Sequence, residues 1–330
     1  MEAKDTWVRA VEMPILTRHY NPGSATAVFR GRAQAVATRT TSSQYVIWEC
    51  LVFFCGYKIV PASNLSSPSF PAASPELETF GLKFSSGGAH ISRTMMLAEL
   101  EAVLTAVPVG SGALDYREAI LDRNVLGKNT DSTRKESLRR LRELYALDEA
   151  RPVFGLLRKL HAIDPDSLPL LALQVAWARD PLFRATTQPV MDAAEGERVE
   201  TARLAQAFEA TFPNQYSDLS RNQTARHAAS SWTQSGHLTG RANKTRQRIK
   251  PTAVAVAMAL FLGDIAGYHG AAVFSNPWCA LLDLNADRAR ALGQEAHRAG
   301  LLNLRAVGEV VEMSFPHLAA HIAKFHNQTS

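Results

Sequence analysis

Apolar residues recur every three to four positions along most of the chain after residue 84. This is the spacing of a helix that buries one face. One such segment runs from Met95 to Val107 and another from Tyr116 to Val125, and the glycine-containing stretch 124–129 indicates a turn. The pattern therefore predicts a mainly α, multi-helical protein.

A basic amphipathic helix is predicted directly after this turn. Thr133 and Glu136 have the spacing of a capping box, in which the two side chains satisfy backbone amides at the helix start. One face carries the apolar residues Leu138, Leu141, Leu144 and Tyr145. A stripe turned away from it carries Lys135, Arg139 and Arg142. Residues 116–147 thus follow the plan of a helix-turn-helix, whose second helix lies against DNA.

The pattern in the C-terminal part of the chain predicts further helices and a basic segment. A short amphipathic helix covers 202–212, and Ser217 can cap the next helix, which stops at Gly236. The polar segment Arg241–Lys250 contains five basic residues and no acidic one, and we interpret it as a basic arm that could lie along phosphates. Pro251 then begins a very apolar helix.

The last predicted unit has the order of a winged helix. Helical patterns at Pro277–Asp283 and Ala286–Ala299 are followed by two alternating segments around Gly308, which predict a β-hairpin. We therefore expect residues 84–200 to form a helical domain with a helix-turn-helix. Residues 201–330 are expected to form a second helical domain that is winged-helix-like.

The first 83 residues differ from the rest of the chain in composition and in their pattern of apolar residues. The apolar run Val46–Val60 is too short and too charged to span a membrane, and it lies too far from the start for a signal peptide. The stretch Pro61–Pro75 is rich in Pro and Ser, which indicates an irregular linker. We expect 1–83 to be a poorly ordered extension, or a mis-called start with translation beginning near Met95 or Met96.

Length and composition exclude several classes of protein. The chain has 330 residues, of which 46% are hydrophobic and 20% charged, as in ordinary globular proteins of about two domains. Its three cysteines are too few for a disulfide framework or a structural zinc site. A reducing, cytoplasmic setting with no membrane anchor fits these features best.

The net charge of +5 is concentrated in two segments. Residues 123–142 contain seven basic and two acidic residues, and residues 217–250 contain seven basic residues and one acidic residue. Two basic patches on a neutral body indicate contact with a polyanion, although a solvated helix face is the alternative. The candidate contact residues are Lys128, Lys135, Arg139, Arg142, Arg221, Arg226, Arg241, Lys244, Arg246 and Arg248.

Signatures of catalysis are weak. The turn Leu126–Thr130 lacks the first glycine and the preceding strand of a phosphate loop. His317 and His321 have metal-ligand spacing but no evident third ligand. Trp232 is more often a core residue than a base-stacking one. We therefore expect no enzymatic activity, no cofactor and no metal.

The segments Tyr116–Arg134 and Leu138–Tyr145 resemble the start of BrxA, the small helical DNA-binding subunit of bacterial BREX phage-exclusion systems. The likeness extends, as an order of elements, from about Phe84 to about Phe315. It implies an all-helical, non-enzymatic protein that binds double-stranded DNA beside larger ATPase, methyltransferase and phosphatase-like subunits. It also implies backbone contacts from Thr130, Thr133, Arg134, Arg139 and Arg142.

These observations favour a cytoplasmic DNA-binding accessory protein, part of a phage-defence system. Two alternatives stay open. One is a protein-interaction scaffold or transcriptional regulator that uses its winged-helix unit for assembly. The other is a nuclease, or another enzyme, whose acidic residues are dispersed in the sequence.

Overall fold

The computed structural model describes residues 69–307 and 310–316. The helices of the first half are α1 (Pro75–Phe80), α2 (Leu97–Ala106), α3 (Ala113–Leu121), α4 (Asp131–Tyr145), α5 (Pro152–Ile163), α6 (Leu168–Arg179), α7 (Pro181–Arg184) and α8 (Thr187–Met191). Those of the second half are α9 (Thr201–Thr211), α10 (Asp218–Gln234), α11 (Ala253–Ile265), α12 (Pro277–Leu281) and α13 (Ala286–Arg298). Short 3₁₀ turns lie at Ala89–Ile91, Pro165–Ser167 and Gly270–Ser275.

Two antiparallel hairpins complete the described part of the chain. The strands are β1 (Leu238–Thr239), β2 (Thr245–Arg246), β3 (Asn303–Val307) and β4 (Val310–Ser314). In the C-terminal hairpin Asn303 pairs with Ser314 and Val307 with Val310. The protein is thus mainly helical with a small hairpin near the C-terminus, as predicted. The helix, helix, hairpin order of its last unit is also as expected, and the winged-helix interpretation of that order stays a prediction.

Polar side chains fix where many of the helices begin. At these positions an oxygen accepts hydrogen bonds from amides of the first turn, which have no partner within the helix. The capping residues are Ser74, Thr130, Asp180, Ser217, Thr252, Asn276 and Asn285. The predicted cap at Ser217 and the predicted break at Asp180 and Pro181 are both confirmed.

One large apolar core joins the two halves of the described chain, beside a small cluster at Leu182, Phe208 and Phe212. The buried helix α11 packs against α5 and α6 as well as against α12 and α13. The ring centres of Trp177 and Trp278, which lie on opposite sides of residue 200, are 5.7 Å apart. The expected division into domains 84–200 and 201–330 is therefore wrong, because the described residues belong to one compact unit.

The residues just before 84 belong to this core. Phe70 lies 5.1 Å from Trp177 between ring centres, and Leu77 and Phe80 on α1 are buried. The proline and serine that indicated a linker instead begin α1, where Ser74 caps the helix and Pro75 occupies its first turn. The expected extension is therefore wrong for residues 69–83. The predictions for Val46–Val60 and for 61–68 lie outside the described residues.

A chain starting at Met95 or Met96 would lack this part of the core. Both methionines are themselves buried, and the segment before them supplies Phe80 and the buried His90. A chain that started there would therefore lose part of its core, and the site of translation start stays a prediction.

Four arginines bind the carbonyl ends of helices. The carboxyl end of a helix carries partial negative charge and unsatisfied carbonyl oxygens, so a guanidinium group is favourable there. Arg158 donates to Leu104 O on α2, Arg134 to Leu121 O on α3, Arg179 to Glu143 O on α4, and Arg184 to Trp177 O on α6. Burial lowers the pKa of Arg179 and Arg184 to about 10, so both stay charged at neutral pH. Part of the basic excess is therefore structural.

Within the described ranges no helix has both the length and the apolar character needed to cross a bilayer. Helix α11 is buried along most of its length but has only 13 residues.

Candidate nucleic-acid interface

The basic helix α4 begins three residues earlier than predicted. Thr130, not Thr133, is the capping residue, and its Oγ1 lies 3.2 Å from the Thr133 amide that donates to it. Glu136 does not reach back to the helix start, because it accepts hydrogen bonds from Arg139 at 2.7 Å and from Arg140 at 2.8 Å. The predicted capping box is therefore wrong.

The two faces of α4 match the predicted pattern closely. The apolar stripe of Leu138, Leu141, Leu144 and Tyr145 is buried. On the opposite side Lys135 and Arg139 are exposed. Arg142 is half-buried, and its Nη2 donates to Ala113 O at 3.3 Å. The expectation that all three bases face solvent therefore holds for Lys135 and Arg139 only.

Acidic residues neutralise most of the bases around α4. Lys128 pairs with Glu99 at 3.1 Å, and Arg139 pairs with Glu136. The hydrogen bond from Arg139 lowers the pKa of Glu136 to about 2. Arg134 pairs with Asp131 at 3.3 Å besides capping α3, so its predicted contact with DNA is not supported. We call the basic residues of 123–142 the α4 patch. In the described part of the chain, Lys135 is the member of this patch that has neither an acidic nor a carbonyl partner.

The hydroxyls of Thr130 and Thr133 lie at the exposed start of α4. They are 2.8 Å apart and hydrogen-bond to each other. Both could donate to or accept from a ligand at this end of the helix.

The segment Arg241–Lys250 is a docked hairpin and not a free arm. Strand β2 pairs with β1 on one side, and Thr245 bridges to Arg198 on the other. Arg246 is fully buried, so its predicted contact with DNA is wrong. Arg248, which is partly exposed, pairs with Asp283 at 2.6 Å. The sequence hides this arrangement because Asp283 lies 37 residues after Arg246.

The loop of this hairpin remains accessible. Arg241 is exposed. Lys244 is half-buried, and its Nζ donates to Thr233 Oγ1 at 2.9 Å and to Gly240 O at 2.8 Å. The loop therefore lies against the carboxyl end of α10.

One face of α10 is free of acids and, apart from Leu219, polar. No Asp or Glu occurs between residues 219 and 234. The side chains on this face lie on one side of the helix at intervals of three or four residues. They are Leu219, Asn222, Gln223, Arg226, Ser230 and Thr233, and we call this set the α10 face. Arg226 is exposed and has no ion-pair partner among the described residues.

Acidic residues do occur at the start of α10. Arg221 binds Glu209 at 2.8 Å and Asp218 at 2.6 Å. This pairing satisfies both carboxylates and removes Arg221 from the list of free bases.

A second arginine lies beside the α10 face. Burial is the main cause that lowers the pKa of His227, and the charges of Arg93 and Arg226 act in the same direction. His227 is therefore neutral at pH 7, and its Nδ1 lies 2.9 Å from His90 O. Arg93 and Arg226 thus both lie near His227, and Lys244 links the hairpin loop to Thr233 on the same helix. Sequence analysis named Arg226, Arg241 and Lys244 but not Arg93.

A buried Asp180–His90–Ser231 chain fastens the segment that carries Arg93 to α10. His90 Nδ1 lies 2.8 Å from Asp180 Oδ2, and His90 Nε2 lies 2.8 Å from Ser231 Oγ. Ser231 Oγ also accepts from the Met95 amide at 2.8 Å and donates to His227 O at 3.0 Å. Residues 89–95 are therefore fastened to α10.

This chain has the residue types of a serine hydrolase but not its accessibility. His90 and Ser231 are fully buried, and the ring of Phe183 stacks on His90 at 4.4 Å. Burial alone would raise the pKa of Asp180, but the charge of His90 and hydrogen bonds from His90 and Phe183 hold it below its usual value. The arrangement is a buried, structural hydrogen-bond chain. The sequence could not predict this chain, because His90 and Asp180 are 90 residues apart and Asp180 and Ser231 are 51 residues apart.

The described residues contain no group of three His, Cys, Asp or Glu side chains arranged to hold a metal ion. Cys279 is buried, and burial raises the pKa of its thiol to about 12. His317, His321, Cys50 and Cys55 lie outside the described residues. Trp232 is a core residue, as expected, and donates to Thr186 Oγ1 at 3.0 Å.

No protein-family model matches the chain, and no curated protein matches it. The resemblance of residues 116–145 to the BREX subunit therefore stays a prediction.

Proposed function

We propose that the protein binds double-stranded DNA and that the α10 face, Arg93 and the hairpin loop at Arg241 form the contact surface. The observation that carries the proposal is the absence of acids on α10 from residue 219 to residue 234. In the α4 patch, by contrast, acids engage Lys128, Arg134 and Arg139.

The side chains of the α10 face suit a phosphate backbone. In protein–DNA complexes phosphate oxygens accept hydrogen bonds from Arg and Lys and also from Ser, Thr, Asn and Gln. Arg226 supplies a positive charge in the middle of the face, and Lys244 lies at its end beside Thr233. Each basic side chain that replaces a counterion on a phosphate adds binding affinity, and this contribution declines as the salt concentration rises.

The α4 patch is a weaker second contact in this proposal. Its Arg139–Glu136 pair is the accessible one, with the Arg139 side chain 56% exposed, and exposed ion pairs contribute at most about 1 kcal/mol each. A phosphate could therefore replace Glu136 as the partner of Arg139. Lys135 and the hydroxyls of Thr130 and Thr133 lie on the same helix and would add contacts.

The test is a salt titration of duplex binding, followed by fluorescence anisotropy. Arg226→Glu should weaken binding to all sequences and make the salt dependence shallower by at least about one unit of slope. Arg151→Glu is the matched control, because Arg151 is exposed just before α5, outside both basic segments, and has no ion-pair partner among the described residues. Equal losses for both variants, or salt-independent binding, would overturn the proposal.

We further propose, from the resemblance at 116–145, a non-enzymatic accessory role in the cytoplasm beside other subunits of a phage-defence system. A duplex incubated with the protein and Mg²⁺ should then stay intact. Cleavage of that duplex would favour the nuclease alternative instead.

A further inference from the structure

The accessibility of α10 changes along its length. Leu219 is 72% exposed, and Asn222, Gln223 and Arg226 are also exposed. Ser230 and Thr233 are half-buried, because the turn Ala89–Ile91 and strand β1 pack against the helix. The first two to three turns of α10 are therefore the part that a partner could approach.

The preceding helix α9 packs against α10. Residues 212–217 connect the two helices. The amide of Asn214, which has a positive φ of 57°, donates to Glu209 Oε1 at 2.9 Å and closes this turn. In helix-turn-helix units, whose turn is usually about three or four residues and thus shorter than this connection, the amino-terminal residues of the second helix contact base edges in the major groove.

The exposed side chains go beyond what phosphate binding requires. Phosphates need charge and hydrogen-bond donors, and a leucine supplies neither. An amide can make paired hydrogen bonds to adenine, a guanidinium can do so to guanine, and an apolar side chain can contact the methyl group of thymine. Leu219, Gln223 and Arg226 supply all three chemistries on one side of the helix.

We propose that the amino-terminal half of α10 enters the major groove and recognises a short base sequence. Arg226 contacts guanine, Asn222 or Gln223 contacts adenine, and Leu219 contacts a thymine methyl group. This inference rests on the proposed function. Leu219 and Arg226 are seven residues apart, about 10 Å along the helix, which corresponds to about three base-pair steps. The recognised core should therefore be three or four base pairs long.

The experiment is selection of bound duplexes from a randomised library by the full chain. We expect enrichment of a short motif that contains a guanine and a thymine. Arg226→Lys keeps the charge but loses the paired hydrogen bonds. It should reduce the preference at the guanine by about 10- to 100-fold while leaving the affinity for unrelated duplexes unchanged. Arg151→Lys, just before α5, is the control and should change neither.

A second measurement tests Leu219 separately. Replacing the motif's thymine by uracil removes only the methyl group, so it should weaken binding of the parent protein. The same replacement should have no further effect on Leu219→Ala, if Leu219 is the partner of that methyl group.

The outcomes distinguish this inference from the proposed function. Salt-dependent binding without an enriched motif would overturn the base recognition and leave DNA binding standing. A motif that Arg226→Lys leaves unchanged would overturn the assignment to α10. Failure to bind any duplex at low salt would overturn both.

Discussion

The guanidinium of Arg246 and the carboxylate of Asp283 form an ion pair in which both side chains are almost fully buried, at 0% and 5% exposure. Asp283 also accepts from Arg248 at 2.6 Å and from the Ile249 amide at 3.2 Å. Arg246 donates in addition to His237 O at 3.4 Å. The pair therefore fastens the basic hairpin to the turn between α12 and α13.

Removing Arg246 should destabilise the fold strongly. Arg246→Ala leaves the carboxylate of Asp283 buried without its main partner, which typically costs about 3 to 5 kcal/mol. The free energy of unfolding from urea titration measures the loss. Arg248→Ala is the control, because Arg248 is 45% exposed and its pair should contribute at most about 1 kcal/mol. Similar losses in the two variants would contradict the assignment of Arg246 to the core.

His237 should make the fold sensitive to mild acid. Burial lowers its pKa to about 4, with Arg246 and Arg248 acting in the same direction and Asp283 opposing them. In the unfolded chain the pKa is about 6.5. Between about pH 4 and pH 6.5, therefore, His237 is protonated in the unfolded state and neutral in the folded state. The stability that neutral His237 contributes is complete above about pH 6.5 and is lost as the pH falls towards 4, by up to about 1.4 kcal/mol per pH unit.

The control for this pH dependence is His237→Gln. An amide can still donate to Leu281 O and accept from Ser235, which are the present partners of the ring. Urea unfolding at several pH values should show a shallower decline for the variant between pH 6.5 and 4. Identical slopes would mean that other groups dominate this range, such as His161 and His227, whose pKa values are also lowered by burial.

Sequence periodicity predicted local features because they depend on neighbours three or four residues away. The mainly helical class and the buried stripe at Leu138 and Leu141 are examples. The roles of individual bases could not be predicted in this way. Arg134 finds its carbonyl partner 13 residues away and Arg246 its carboxylate 37 residues away, and a charge count treats both as free.

The position of the first boundary shows a second limit of the sequence. Proline and serine at 74–75 are equally compatible with a linker and with a helix start, and only the burial of Leu77 and Phe80 decides between them. The candidate surface on α10 was likewise only partly predicted. Arg226 was included for its charge, whereas the segment that carries Arg93 is brought to α10 by the distant contacts of His90.

Residues 69–83 should be required for stability. A chain that begins at Phe84 loses Phe70 and Phe80 from the core. It also removes the carbonyls of Gly81 and Lys83, to which the buried Arg179 and Arg184 donate. Loss of a buried phenylalanine alone typically costs about 3 to 5 kcal/mol. Thermal melts should therefore show a markedly lower midpoint for this chain than for one that begins at Ser69, and equal midpoints would contradict the packing of α1.

The two faces of α4 should respond in opposite ways to substitution. Leu141→Ala removes a fully buried side chain and should cost about 2 to 5 kcal/mol of stability. The double change Lys135→Glu and Arg139→Glu lies on the exposed face, where single substitutions usually change stability by less than about 0.5 kcal/mol. It should keep the melting curve close to that of the parent, apart from a small loss because Glu136 would face a new acid at position 139.

Duplex binding then decides how much α4 contributes. The double change should weaken binding at low salt, since two positive charges become negative near the phosphates. The weakening per reversed charge should be smaller than for Arg226→Glu, because Glu136 already neutralises Arg139 whereas Arg226 has no acidic partner among the described residues. Abolished binding for the α4 variant, with full binding for Arg226→Glu, would identify α4 as the recognition helix and exclude the α10 face.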